Sequence, residues 1–148
     1  MILIKEITDK GFWHKAMLEF EDANIYQTWN FAVLAQNEKI VKHIAIYSDD
    51  NLIGLVKVRI RKVPILNRGI AYIFNGPLWQ KKNHENSIQV LSDILVALRE
   101  EFVVKQQLVL RIQPYIFSDM FANFDFIENF GFKRVEKIRR YQTLVLYL

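Results

Sequence analysis

The sequence contains no cysteine and only five glycines and three prolines among its 148 residues. Without cysteine there is no disulfide framework, no thiolate nucleophile and no cysteine-based zinc site. No apolar run reaches the ~18 residues that a membrane-spanning helix needs. The first ten residues, MILIKEITDK, are interrupted by charged side chains, which a secretory signal would not contain. We therefore expect a cytoplasmic protein that has no disulfide bonds and no membrane-spanning helix.

The chain is rich in apolar and aromatic residues. It is 51% hydrophobic and 14% aromatic, which indicates a folded protein. Its length fits one domain, residues 1–148, with one substantial core. The net charge of +4 is compatible with an anionic partner such as a nucleotide-sugar, a tRNA or a membrane surface. It is equally compatible with charge that serves only solubility.

Strand-like and helix-like patterns alternate along the chain. Segments rich in β-branched and apolar residues predict strands over residues 2–8, 39–47, 52–63, 70–74, 108–112 and 143–148. Helical spacing of apolar residues predicts helices over residues 9–20, from 26, over 87–103 and over 118–130. The polar turn at residues 48–51 joins two of the strands into an antiparallel hairpin. This order predicts an α/β (α+β) fold, with a mixed, largely antiparallel sheet and helices on both faces.

Two helices show a clear apolar stripe. In the first, Phe12, Ala16 and Phe20 are spaced for one face. The stripe of the long helix consists of Ile88, Leu91, Leu95, Leu98 and Phe102. These residues are therefore predicted to face the core.

The C-terminal stretch, IENFGFKRVEKIRRYQTLVLYL, joins a helix that ends at Gly131 to a strongly strand-forming segment. This ending and the order of elements resemble the GNAT acyltransferase fold. Such enzymes bind the acyl-CoA pyrophosphate in a glycine-containing loop between the central strand and the long helix, where bare amides approach the phosphates. Here the connection is GPLWQKKNHENS, and no glycine follows Gly76 until Gly131. We therefore expect no cofactor of the acyl-CoA type.

The chain also resembles the FemAB-like transferases over residues 25–148. The resemblance rests on YQTWNF, IAYIFNGPLW, LVLRIQP and NFGF followed by TLVLYL, in that order. It implies transfer of an acyl or aminoacyl group, often from aminoacyl-tRNA, to a peptidoglycan precursor or another cell-envelope acceptor. Gln113 stands where members often have an acidic residue, and Phe31 where a basic residue would help to hold acceptor phosphates. The resemblance therefore favours the acceptor-binding half of such an enzyme.

Cationic residues in two strands are the first candidates for acceptor binding. Lys57, Arg59 and Arg61 alternate along one strand and share one face of it. Such a row could bind a diphosphate or an RNA backbone, or it could be a solvated sheet face. Arg111 and Gln113 share a face of an otherwise apolar strand. They could contact substrate at the end of the sheet, or Arg111 could form a structural ion pair.

The remaining polar and aromatic candidates carry weaker signals. Tyr72 and Tyr115 are the best general acids by residue type, although a core role is the simpler interpretation. Trp29 is predicted to anchor the core, and Asn75 to form a turn before Gly76-Pro77. The three histidines do not have metal-ligand spacing, so we expect no metal.

These patterns lead to one main hypothesis. The chain is predicted to be a FemAB-like acyl- or aminoacyltransferase domain in which a substrate groove is formed by Arg59, Arg61, Arg111, Gln113 and Tyr115. Expected partners are an anionic or nucleotide-sugar-linked acceptor, an aminoacyl-tRNA donor, and a second GNAT-like domain or a second copy. Two alternatives are an acyl-CoA N-acyltransferase with a degenerate phosphate loop, and a non-catalytic binding or dimerisation module. No catalytic residue is assigned.

Overall fold

The computed structural model describes residues 1–35, 38–63, 68–83, 87–115 and 127–135. Most of the helix predicted at 118–130 and all of the strand predicted at 143–148 lie outside these ranges. The described end of that helix, residues 127–130, is a 3₁₀ turn. Gly131 follows it with φ +80°, and its N–H donates to the carbonyl of Glu128 at 3.0 Å. The predicted glycine turn is therefore confirmed.

Five strands form one sheet in the order of the sequence. The first four strands pair antiparallel with one another, and the fourth pairs parallel with the fifth. Their bounds are β1 Ile2–Glu6, β2 Val41–Ser48, β3 Asn51–Val63, β4 Arg68–Phe74 and β5 Val109–Gln113. The predicted hairpin joins β2 to β3 through Asp49 and Asp50, which both adopt positive φ in a two-residue turn. The mixed, largely antiparallel sheet is thus confirmed.

Helices cover both faces of the sheet, as predicted. Helices α1 (Lys10–Met17) and α2 (Trp29–Ala35) lie on one face, and a 3₁₀ turn at Ile25–Gln27 precedes α2. The Asp9 side chain caps α1 by accepting from the Phe12 N–H, and the Thr28 hydroxyl accepts from the Phe31 N–H in α2. Helix α3 (Ile88–Arg99) continues as a π-helical turn at Glu100–Lys105 and covers the other face. A second 3₁₀ turn, Glu38–Ile40, leads into β2.

The core has two parts, one on each side of the sheet. The larger part packs α3 and the π-helical turn on alternate residues of β2, β3 and β4, with Ile94, Leu98 and Phe102 fully buried. The smaller part packs α1 on the opposite face around Trp13, Phe20 and Leu55. Within the described residues, no helix has the length and apolar character to cross a bilayer.

Two residues of the predicted stripes do not face the core. Ile88 is the first residue of α3, directly after the cap residue Ser87, and it is 45% exposed. Phe12 is 39% exposed, and Trp13 occupies the buried position instead. The remaining members of both stripes are buried. Helical spacing of apolar residues therefore predicted the buried face of each helix, but not which residues at the helix ends are buried.

A buried glutamine joins the two central strands where they part. The β3–β4 pairing begins at Val58 and Ile73, and beyond this point the Gln27 side chain lies between the strands. The Lys57 N–H donates to Gln27 Oε1 at 2.7 Å, and Gln27 Nε2 donates to the Phe74 carbonyl at 2.7 Å. Gln27 is fully buried, so its amide replaces ladder bonds that would otherwise be unmade.

We expect Gln27→Leu to destabilise the protein by about 2–4 kcal/mol, because it leaves the Lys57 N–H and the Phe74 carbonyl buried and unpaired. Chemical unfolding measured by circular dichroism would show this as a lower midpoint. The matched control is Gln89→Leu, which removes an exposed amide on α3 and should change the midpoint little. Equal effects of the two substitutions would contradict the role of Gln27.

Candidate functional site

The half of the sheet formed by β3, β4 and β5 carries a row of charged and aromatic side chains on the face opposite α3. Register places Arg59 beside Tyr72, and Tyr72 beside Arg111. Residues opposite each other in adjacent strands project to the same face, so these three side chains form a line across the sheet. Strand spacing puts the backbones of the two arginines about 10 Å apart.

Tyr72 is the centre of this line. The guanidinium carbons of Arg59 and Arg111 each lie 5.4 Å from the centroid of its ring. Its hydroxyl donates to Gln113 Oε1 at 3.0 Å. The two guanidinium carbons are therefore no further apart than twice the ring distance, a span that two linked anionic groups could bridge. We call Lys57, Arg59 and Arg111 the cationic patch.

The cationic patch has no acidic counterpart in the described part of the chain. The ion pairs found there lie elsewhere, such as Lys42 with Glu6 at 2.6 Å and Lys81 with Glu19 at 3.2 Å. The structural ion pair considered for Arg111 is thus not formed with any described residue. Positive potential without a local counter-charge attracts anions to this face.

Lys57 differs from the two arginines because it is buried. Only 4% of the residue is exposed, and its Nζ lies 4.6 Å from the centroid of the Phe31 ring on α2. Among the described residues, Nζ has no hydrogen-bond partner. Burial, reinforced by the positive charge of Arg59, lowers the pKa of Lys57 to about 8. The predicted solvated face therefore applies to Arg61, which is exposed, and not to Lys57.

Aromatic rings line the side of the patch nearest to α2. The Tyr26 ring contacts Phe31 at 5.2 Å and Phe74 at 4.9 Å between centroids, edge-on in both cases. Phe74 in turn lies 6.1 Å from Tyr72. The rings thus form a continuous apolar wall from Lys57 to the arginines. Such a wall lowers the local dielectric constant and strengthens any charge interaction beside it.

His43 lies opposite Lys57 in the β2–β3 register. Its ring stacks on Trp29 at 3.8 Å and contacts the edge of Trp13 at 4.8 Å. Burial first, and the charge of Lys57 second, lower the pKa of His43 to about 4. The imidazole is therefore neutral at pH 7, so His43 neither repels the ammonium of Lys57 nor supplies a counter-charge for it. Trp29 is half-buried in this stack, which places it beside the site and not at the centre of the core.

The connection between β4 and α3 shows whether backbone amides are free to bind phosphates. It begins with Asn75, which has positive φ as the predicted turn requires, and with the cis peptide bond Gly76-Pro77. Every N–H from Gly76 to Lys82 donates within the protein, Pro77 having none. The acceptors are the carbonyls of Gln113, Leu55, Trp79 and Glu19 and both carboxylate oxygens of Asp22. These amides are not available to a ligand.

Asp22 is the most important of these acceptors. Its carboxylate accepts from the Trp79 N–H at 3.0 Å and from the Gln80 N–H at 3.2 Å. Burial raises the pKa of Asp22 to about 6, although the two N–H donors act in the opposite direction. Nearby, the Asn24 side chain donates to the Asn75 carbonyl at 2.9 Å. Asp22 and Asn24, which precede α2, therefore both hydrogen-bond to the β4–α3 connection.

The structure brings together three of the five residues predicted to line a groove. Arg59, Arg111 and Gln113 surround Tyr72. Arg61 lies one step further along β3, exposed and opposite Ile70. Tyr115 is half-buried two residues beyond β5. Whether any of the five binds substrate stays a prediction.

The sequence places Lys57 in the same cationic row as Arg59 and Arg61, but the five residues predicted to line the groove include neither Lys57 nor Tyr26. Alternation along a strand does not show which part of a face a helix covers. Tyr26 lies in a 3₁₀ turn whose position depends on the buried Gln27 beside it. Within the described residues, no three acidic or histidine side chains cluster as metal ligands would.

Comparison with known proteins bears on the fold. No family model and no curated protein sequence matches the chain. The structure is similar to a possible acetyltransferase from Clostridium difficile 630, with TM-score 0.60, 11% identity and 99% of both chains covered. Against the aminoglycoside 6'-N-acetyltransferase AAC(6')-Ih from Acinetobacter baumannii the TM-score is 0.55, with 13% identity and 98% and 99% of the two chains covered.

The chain has the GNAT acetyltransferase fold. A further similar structure is FemX, with TM-score 0.62, 19% identity, 88% of this chain covered and 32% of FemX. At such identities the likenesses establish the fold and not the reaction. In the β4–α3 connection the amides from Gly76 to Lys82 are bonded within the protein. The cationic patch lies on the sheet face opposite α3, with Lys57 buried against α2.

We expect Lys57→Met to stabilise the protein at pH 7 by about 3 kcal/mol, because the folded state holds a buried ammonium that no described residue pairs. The pKa of Lys57 is about 8 when folded and 10.5 in its ordinary state, so the unfolded chain binds more protons between these values. The wild type therefore gains stability as pH rises from 8 to 10.5, and its deficit relative to the variant shrinks.

Urea unfolding of the wild type and of Lys57→Met at pH 7 and pH 9.5 measures both effects. Lys15→Met, which removes an exposed charge on α1, is the control and should be nearly neutral. A variant less stable than the wild type at pH 7 would show that Lys57 is paired in the native protein.

Proposed function

We propose that this chain is a FemAB-like acyl- or aminoacyltransferase domain that binds the acceptor. The acceptor is anionic, of the nucleotide-sugar-linked peptidoglycan-precursor type. The observation that carries the proposal is the cationic patch, which faces no carboxylate of the described residues. The similarity of the fold to that of FemX supports it.

In this proposal the domain acts by positioning. Arg59, Arg61 and Arg111 hold the negative groups of the acceptor, and Gln113 and Tyr115 line the same groove. A fixed acceptor amine then attacks an activated ester, such as that of an aminoacyl-tRNA, and the alcohol leaves. The donor site belongs to a second GNAT-like domain or to a second copy of the chain.

Calorimetric titration with a UDP-linked peptidoglycan precursor tests this proposal. We expect Arg111→Ala to weaken binding at least about tenfold, because a charge-assisted hydrogen bond contributes more than about 1.4 kcal/mol. Lys15→Ala removes the same charge from α1 and should leave the affinity unchanged. Absence of binding by the wild type, or equal binding by Arg111→Ala, would contradict the proposal.

The second candidate is an acyl-CoA N-acyltransferase. It is favoured by the two acetyltransferase structures, which align over nearly their whole length. It is opposed by the internal hydrogen bonds of the amides from Gly76 to Lys82.

Titration with acetyl-CoA separates the two candidates. We expect no binding at micromolar concentration, because the amides from Gly76 to Lys82 are already bonded within the protein and no glycine follows Gly76 in the connection. Coenzyme A without an acyl group is the control for weak binding through its phosphates alone. Micromolar affinity for acetyl-CoA would favour the second candidate and count against the first.

A further inference from the structure

Lys57 has a buried charge for which the described part of the fold provides no partner. Its Nζ lies over the face of Phe31, and no described residue accepts a hydrogen bond from it. A lysine ammonium has three donors, and leaving all of them unpaired away from water is costly. A ring face 4.6 Å away offsets only part of that cost.

The groups around Lys57 identify what is missing. On β2 it faces His43, a neutral imidazole, and on β3 the next residue of the same face is Arg59. Helix α2 has no charged residue, and the neighbouring side chains of β4, Tyr72 and Phe74, are aromatic. Every described neighbour is thus neutral or positive. What Lys57 lacks among the described residues is an anion.

We propose that Lys57 and Arg59 together bind one phosphate group at the enclosed end of the cationic patch, and that Arg111 binds the second phosphate of a diphosphate. Lysine binds phosphate as a point charge, and arginine adds paired donors. The backbones of Lys57 and Arg59 lie about 7 Å apart, those of Arg59 and Arg111 about 10 Å, and those of Lys57 and Arg111 about 12 Å, a spread that suits a diphosphate better than a single carboxylate.

This assignment rests on the proposed function only for the identity of the acceptor. The site itself requires no more than a diphosphate that enters beside α2. Phe31 is half-buried on that helix, and its ring must turn away from Nζ as the anion takes its place. The aromatic wall of Tyr26, Phe31 and Phe74 then shields the ion pair from water.

Inorganic pyrophosphate is the probe for this site, with the full chain as the protein. In calorimetric titration at pH 7 we expect binding by the wild type, a loss of at least about tenfold in Lys57→Met, and no change in Lys15→Met. Acetate, tested in parallel, should bind much more weakly. Equal affinity of the wild type and Lys57→Met for pyrophosphate would overturn the assignment.

A spectroscopic titration of the wild type gives a readout independent of any substitution. NMR of isotope-labelled lysine follows the Lys57 side chain, whose pKa should rise from about 8 towards its ordinary value of 10.5 when pyrophosphate is bound. An unchanged Lys57 pKa at saturating pyrophosphate would overturn the assignment.

The two proposals fail in different ways. Pyrophosphate binding that depends on Arg111 but not on Lys57 removes this assignment and leaves the acceptor site intact. Binding that depends on Lys57, without affinity for the peptidoglycan precursor, supports the diphosphate site and removes the proposed acceptor. No pyrophosphate binding by the wild type removes the diphosphate site, and the precursor titration then decides the function alone.

Discussion

The side chain of Gln27 is the interaction on which the rest of the site depends. It occupies the gap between β3 and β4, accepts from the Lys57 N–H and donates to the Phe74 carbonyl. Because those ladder positions are filled by a side chain, β4 can leave the sheet at Asn75 without leaving backbone groups unpaired. Gly76 is needed at this point, since a Cβ there would lie 2.6 Å from Gln27 Nε2. The connection then returns to β3, where Leu55 and Leu78 exchange both backbone hydrogen bonds.

That return path has a consequence for ligand binding. A segment that runs back along β3 and beside Asp22 and Glu19 has acceptors within the protein for each of its amides. Positive charge on this fold is therefore presented by side chains, and Tyr72 organises two of them through its ring. The distance between side-chain cations is set by the spacing of the strands, and their direction by the side-chain rotamers. Such cations therefore suit an extended anion more than a compact one.

Much of the fold could be predicted from the sequence, because strand and helix patterns are local. The hairpin at Asp49 and Asp50 and the turn at Gly131 each follow from a few neighbouring residues. The site was less accessible, because its geometry depends on pairs far apart in the chain. Asp22 bonds to amides nearly sixty residues away, and Lys57 is covered by a ring on α2. Alternation placed Lys57 and Arg61 on one face, yet only packing shows that the first is buried and the second exposed.

His43 and Lys57 each bury a side-chain nitrogen, but the energetic cost of doing so differs between them. Both lack a hydrogen-bond partner among the described residues, and they lie side by side on adjacent strands. The imidazole of His43 is neutral, and its stacking on Trp29 compensates its burial, so packing alone accounts for it. Lys57 remains charged at pH 7, and a methionine would fill the same space at lower cost. Packing therefore accounts for the histidine, whereas the described residues supply no counter-charge for the lysine.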